Sequence, residues 1–376
     1  MLQTLFHAWE RRLASVTTDR VVRPFDWGLE WVPNGLDPAG RSEDPRDDDR
    51  SPEELIGHWV ARVMADTDAF FTPPPTSDYT LGPISADGDR LLTFPSALET
   101  PHPSNNTVYA RLFPARQAEA RRATAGRRAA VIVLPQWNAD PGGHVGLSRL
   151  LALNGMTALR MSLPYHDRRM PPELHRADYI VSANVARTVQ VCRQAVLDAR
   201  RAIAWLAGEG YDRIGILGTS LGSCLALLTT AHEPLLHAQA LNHISPHFAD
   251  VVWRGLSTRH VREGFDGHIE LDRLRALWKP ISPHWYLERV RNRQSLLVYA
   301  RYDLTFPVDL SEDLVRGFRE RGIPHEVAAL HCGHYSSGKA PFKFIDGWIL
   351  TRFLKRALAS SQNVPLRPRR PLWWRG

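Results

Sequence analysis

The string Gly218-Thr219-Ser220-Leu221-Gly222 closes an apolar run, Ile214-Gly215-Ile216-Leu217, and opens a helix-compatible stretch from Ser223 to Thr230. A strand, a sharp turn and a helix therefore meet at one serine, with a glycine two residues to either side. In such a turn the incoming strand and outgoing helix pass so close that the flanking positions admit little or no side chain. The apical residue is held in strained backbone geometry, and Ser220 Oγ projects clear of the sheet over the positive end of the following helix. A dinucleotide-binding glycine loop, with Ser220 as a helix cap, is the competing reading. Its G-x-G-x-x-G spacing is missing, because Thr219, Ser220 and Leu221 separate Gly218 from Gly222.

The neighbouring segments agree with that setting. Ala129 to Leu134 is a continuous apolar, β-branched run, as a strand covered on both faces requires. Pro135 to Gly143 reads as a loop and Val145 to Leu153 as a helix. Ala158 to Leu163 reads as a strand, and a helix from about Ile180 to Gly208 has no internal Pro or Gly. Alternation of this kind predicts an α/β fold with a mostly parallel central sheet flanked by helices. Ala238 to Ile244, Ser295 to Ala300 and His325 to Leu330 are three further strands.

Parallel sheets collect their chemistry at the carboxyl ends of the strands. Ser220 lies at one such end. The loop after Ala300 carries Asp303, in Asp303-Leu304-Thr305-Phe306-Pro307, and the loop after Leu330 carries His334, in His331-Cys332-Gly333-His334. Asp303 competes with Asp250 as the acid, and with a plain helix-cap role. His334 competes with His331.

Over roughly residues 78 to 358 the chain resembles an α/β-hydrolase. The matching parts are the elbow at Ser220, the Asp-x-x-x-Pro loop at Asp303, and the Gly333-His334 pair before a C-terminal helix. Pro164-Tyr165-His166 with Arg168 and Arg169 also resembles the α/β-hydrolase domain-containing protein 18 group. The resemblance implies a serine hydrolase acting through an acyl-enzyme on a small-molecule ester or related acyl substrate, with no metal and no organic cofactor. His334 would take the Ser220 proton and return it to the leaving group, while Asp303 fixes the imidazole tautomer. Backbone N–H groups of Leu221 and Trp137 would form the oxyanion hole, with Gln136 as the other candidate for the second donor. The chain departs from the common pattern here, with Pro135-Gln136 where His-Gly is usual, and Pro135 has no N–H to give. The loop bearing Tyr165, His166 and Arg168 is expected to border the pocket with Gln136. There Arg168 or Arg169 reads a negative group on the substrate, or else forms solvated salt bridges. A hydrolase-fold protein that only binds is the alternative function.

Composition sets outer limits. The 376 residues are 43% hydrophobic and 23% charged, ordinary for a globular chain. No run of about eighteen apolar residues suggests a spanning helix, and the N-terminus meets charge too early for a secretory signal. Three cysteines form no disulfide framework, so a cytoplasmic setting is expected. The excess of basic residues, 47 Lys and Arg against 40 acidic groups, is dispersed along helices rather than gathered into a nucleic-acid site. Only the tail, residues 359–376, concentrates arginine with tryptophan. It reads as an unstructured end, in preference to a peripheral membrane contact. Residues 1–77 form a helical extension whose Leu2, Leu5, Phe6, Trp9 and Leu13 are spaced to dock on the core. A helical cap at about 248–290 interrupts the sheet, with aromatics suited to an apolar acyl group. The sequon Asn105-Asn106-Thr107 and the lone Cys332 are read as incidental.

Overall fold

The computed structural model describes residues 2–33, 50–115 and 127–360; the arginine- and tryptophan-rich tail beyond Ser360 and the charged stretch 34–49 lie outside them. Among the described residues nine strands form one sheet in the spatial order β1-β2-β3-β5-β4-β6-β7-β8-β9. β1 (Thr80–Ile84), β2 (Arg90–Pro95) and β3 (Thr107–Phe113) enter as an antiparallel meander, and β3 pairs antiparallel with β5 (Thr157–Met161). From there the sheet is parallel through β4 (Ala129–Leu134), β6 (Arg213–Thr219), β7 (Leu236–Asn242), β8 (Gln294–Ala300) and β9 (His325–Leu330). Every residue of β4 is buried, which is why its sequence is uniformly apolar rather than alternating.

Helices cover both faces. On one, α5 (Val185–Gly208) and α6 (Leu221–His232) pack with α2 (Pro52–Ala65) and α3 (Thr67–Phe71) in a core that includes Trp59, Phe71, Ile132, Ile203 and Leu227. On the other, α4 (Val145–Leu153) and α11 (Phe342–Ala359) bury Leu151, Leu350, Phe353 and Leu354 against Val131, Val133 and Val298. α1 (Leu2–Ala14) docks beside the carboxyl ends of β8 and β9. Between β7 and β8 the chain makes α7 (Phe248–Arg254), α8 (Arg259–Glu263) and α9 (Leu271–Leu277) with short 3-10 turns, and α10 (Val308–Glu320) follows β8.

Local chemistry accounts for most boundaries. Asn184 caps α5 by accepting from Arg187 N–H, so the helix starts five residues after the expected Ile180. The expected single helix from Glu53 to Phe71 is two. Asp66 ends α2 in a non-helical conformation and its carboxylate then caps α3 through Ala69 N–H. α2 itself opens on a capping box between Ser51 and Glu54. In the inserted segment Trp278 and Phe265 are fully buried, whereas Trp285 is half exposed. Asn105 of the sequon is fully buried and holds Gln194 and the Tyr165 N–H, so no glycan fits there.

Candidate active site

Ser220 sits at φ 56° and ψ −121°, a conformation that a non-glycine residue adopts only when its surroundings impose it. The imposition is visible at the glycines. A Cβ at Gly218 would lie 2.1 Å from Gly222 O, and one at Gly222 would lie 2.3 Å from Leu134 O and 2.5 Å from Pro135 O. The elbow is thus wedged against the end of β4 and the loop that follows it. Ser220 N–H donates to Asn242 O at 2.8 Å, which ties the turn to the end of β7.

The loops after β8 and β9 meet beside this turn. Asp303 is buried; its Oδ1 accepts the N–H groups of Thr305 and Phe306, each at 2.7 Å, and its Oδ2 accepts from His334 Nδ1 at 3.0 Å. Burial by itself would raise the Asp303 pKa, but the adjoining imidazoles of His334 and His243 outweigh it and hold the carboxyl well below the usual range. The Phe306 ring stacks parallel on the His334 imidazole at 5.4 Å, fixing its plane. Ser220 and His334 line the same cavity of about 960 Å³, together with Gln136, Trp137, His243 and Asp346. Among the described residues no hydrogen bond links Ser220 Oγ to His334, although both line the cavity.

The loop after β4 is held from behind. Asn138, at φ 57°, donates its N–H to His166 Nε2 at 2.9 Å and accepts from Ala177 N–H at 2.8 Å through Oδ1. Trp137 Nε1 donates to Ala177 O at 2.9 Å, and its indole stacks on His260. These bonds leave the N–H groups of Gln136 and Trp137 without a protein acceptor among the described residues. Leu221 begins α6, so its N–H has no intrahelical acceptor either.

The Tyr165 loop lies elsewhere than expected. Tyr165, His166 and Arg168 are absent from the cavity lining, while Gln136 is part of it. Tyr165 is buried against His102, with Nδ1 to OH at 3.1 Å. His166 is buried behind the loop after β4, and burial pushes its pKa down to about 4. Arg168 lies over the Tyr109 ring, and Arg169 is fully buried in an ion pair with Asp198 at 2.9 Å. A guanidinium needs a carboxylate when it is taken out of water, and Asp198 supplies it. The competing acid, Asp250, is paired with Arg275 in the inserted segment, and His331 is exposed outside the cavity lining.

Three groups at the site carry no sequence motif. His243, one residue past β7, places Nδ1 3.2 Å from Asp303 Oδ2. Asp346 of α11 accepts from Asn242 at 2.7 Å, with its pKa raised by burial. Glu10 of α1 is fully buried and accepts the N–H groups of Tyr335 and Ser336 at 2.8 Å each. The polar pair Asn242-His243 closing an apolar strand was the one available signal for His243; the expectation of a strand running to Ile244 hid it. Asp303, His243 and His334 are close enough for an ion to be considered. Asp303 Oδ2, however, occupies the hydrogen-bond position of both Nδ1 atoms, the place a metal would have to take. The three cysteines are free and buried, and burial pushes the thiol of Cys224 up to about 12, so none offers a reactive thiolate. Among the described residues no helix is long and apolar enough to cross a membrane.

No family model and no curated protein matches the chain. Solved structures do. Acetyl xylan esterase from Paenibacillus sp. R4 superposes with a TM-score of 0.58 at 14% identity, over 82% of this chain and 95% of that one. Acetyl xylan esterase 1 from Thermoanaerobacterium sp. JW/SL YS485 gives 0.55 at 14% identity, over 80% and 94%. Pyrococcus horikoshii acylaminoacyl peptidase gives 0.55 at 12% identity, over 76% of this chain but only 43% of that one, so the chain spans less than half the length of the peptidase. At such identities the likeness speaks for architecture. With its sheet order, its flanking helices and these neighbours, the chain has the α/β-hydrolase fold.

Proposed function

We propose that the protein is a serine hydrolase with Ser220 as nucleophile, His334 as general base and acid, and Asp303 as the carboxylate that orients His334. The observation that carries this reading is the Asp303–His334 hydrogen bond opening into the cavity that holds an elbow serine. Asp303 keeps the proton on Nδ1 and leaves Nε2 as the base that takes the Ser220 proton during attack. The negative oxygen that develops on the substrate is met by N–H of Leu221 and of Trp137, with Gln136 adjacent; each donor is worth roughly 3–4 kcal/mol of barrier. Protonated His334 then delivers its proton to the leaving group, and water repeats the cycle on the acyl-enzyme.

A carboxylic ester is the preferred substrate class. Two of the structural neighbours named above are esterases, and the cavity is large enough for a small acyl group with its alcohol. Fluorophosphonate labelling of the purified full chain tests the reading. Labelling that disappears in Ser220→Ala, with 4-nitrophenyl ester turnover falling about a thousandfold or more, is the expected result. Labelling that persists in Ser220→Ala would move the nucleophile elsewhere. No labelling and no turnover of esters, thioesters or amides would leave a binding protein on a hydrolase scaffold.

A further inference from the structure

Two imidazoles converge on Asp303, and a Ser-His-Asp arrangement uses only one. Oδ1 is saturated by the two backbone N–H groups, while Oδ2 receives both His334 Nδ1 at 3.0 Å and His243 Nδ1 at 3.2 Å. The two rings lie 4.8 Å apart at 58°. Because the carboxyl is ionised, each Nδ1 carries a proton and each Nε2 is left over. His243 is 1% exposed, lines the cavity beside Ser220, and its Nε2 has no partner. Its backbone is pinned at φ 54° by N–H to Val298 O and by Ser223 Oγ to its carbonyl, both at 2.9 Å. This position is built rather than incidental.

We propose that His243 is a positioning residue that shares the Asp303 carboxylate with His334, so that the charge on its own ring bears directly on the His334 imidazole. This deepens the hydrolase reading of the same site and depends on that reading only for its kinetic consequence.

The groups that bear on His243 come from four elements. Asp303 approaches from the loop after β8, Asp346 from α11 and Glu10 from α1, all carboxylates, with His334 opposite on the loop after β9. Burial disfavours the His243 cation. The hydrogen bond and charge of Asp303, with the charges of Asp346 and Glu10, outweigh burial and hold its pKa above the ordinary value. A cation at His243 opposes a second cation on the neighbouring ring.

His243→Asn is the informative change, because the amide nitrogen falls near the Nδ1 position and keeps a neutral hydrogen bond while losing the titration. NMR of histidine-labelled full-length protein, in the Ser220→Ala background, follows His334 directly. Its midpoint should move upward in His243→Asn, where the opposing charge is gone. In protein with Ser220 intact, the acid limb of kcat/KM for a neutral ester should move to higher pH by the same amount. A folded His243→Asn protein with an unmoved His334 midpoint overturns the proposal and leaves His243 a packing residue. A moved midpoint without any ester turnover sinks the hydrolase reading and not the coupling. Should His243→Asn fail to fold, the native protein decides. Coupled imidazoles give a two-step His334 titration, and a single-step curve counts against the sharing.

Discussion

Residues 218 and 222 are glycine for a reason that is steric and local. The space a Cβ would take is already held by backbone oxygens of Gly222, Leu134 and Pro135, which cannot swing aside as a flexible side chain does. Gly222→Ala should therefore cost about 3 kcal/mol or more by urea unfolding and abolish turnover, because relief of the clash moves the elbow away from β4. A Gly222→Ala protein of native stability and activity would show that the two elements are not in contact. Arg169 illustrates the opposite case, a residue whose role could not be seen in its own segment. Its motif-like setting suggested substrate binding, yet it is a buried partner of Asp198. Arg169→Ala strands Asp198 in the interior and should lower the unfolding free energy by about 3–5 kcal/mol. Selectivity between anionic and neutral esters, read as a ratio of kcat/KM, should not follow Arg169; a ratio that collapses in Arg169→Gln would restore the substrate-reading role.

At the scale of elements, the site is assembled by segments that contribute no catalytic group. α1 was expected to dock through its apolar stripe. Of that stripe Leu2 and Leu5 are exposed while Phe6, Trp9 and Leu13 are half-buried, Phe6 stacking on Tyr302, and the fully buried residues of the helix are Glu10 and Ala14. Gly333 makes room for that carboxylate, since a Cβ there would lie 2.3 Å from Glu10 Cδ. Glu10→Ala removes the acceptor from two N–H groups on the His334 loop, each worth about 1–3 kcal/mol when stranded. The expected outcome is a fall in kcat larger than any change in KM, with lower stability; equal effects on both constants would argue that α1 merely covers the site. The loop after β4 is supported in the same way. His166 accepts the Asn138 N–H through Nε2, so a residue without an acceptor there should loosen the proposed oxyanion donors. His166→Leu should lose at least tenfold in kcat, and His166→Gln, whose amide oxygen reaches the same place, should recover part of it. Equal losses in both variants would mean that packing, not the acceptor, is what matters.

Across the whole molecule, histidines buried in neutral form couple folding to pH. Burial pushes His166, His232 and His260 each down to about 4, against an ordinary value of 6.5. Their folded pKa values are depressed, so the unfolded chain binds the extra protons. Stability from these groups is complete above about pH 6.5 and is lost as pH falls towards 4, by roughly 2 kcal/mol or more for each. Urea midpoints should drop steadily between pH 7 and pH 4.5, and His232→Asn should remove one proton from the slope. A flat profile over that interval would mean these rings are solvated in the native state.

What the amino-acid order determined alone was everything that depends on neighbours in the chain. The β-branched runs read as buried parallel strands, the glycines around Ser220 as an elbow, and Asp303 and His334 as residues of loops leaving strand ends, because sterics and burial act over a few residues. The three-dimensional packing decided the rest. It turned Tyr165, His166 and Arg169 from pocket residues into supports, and it brought Glu10 to Gly333 and His243 to Asp303 across long stretches of chain. A buried charge takes its meaning from the partner that compensates it, and no periodicity or spacing in the sequence records which distant residue that partner will be.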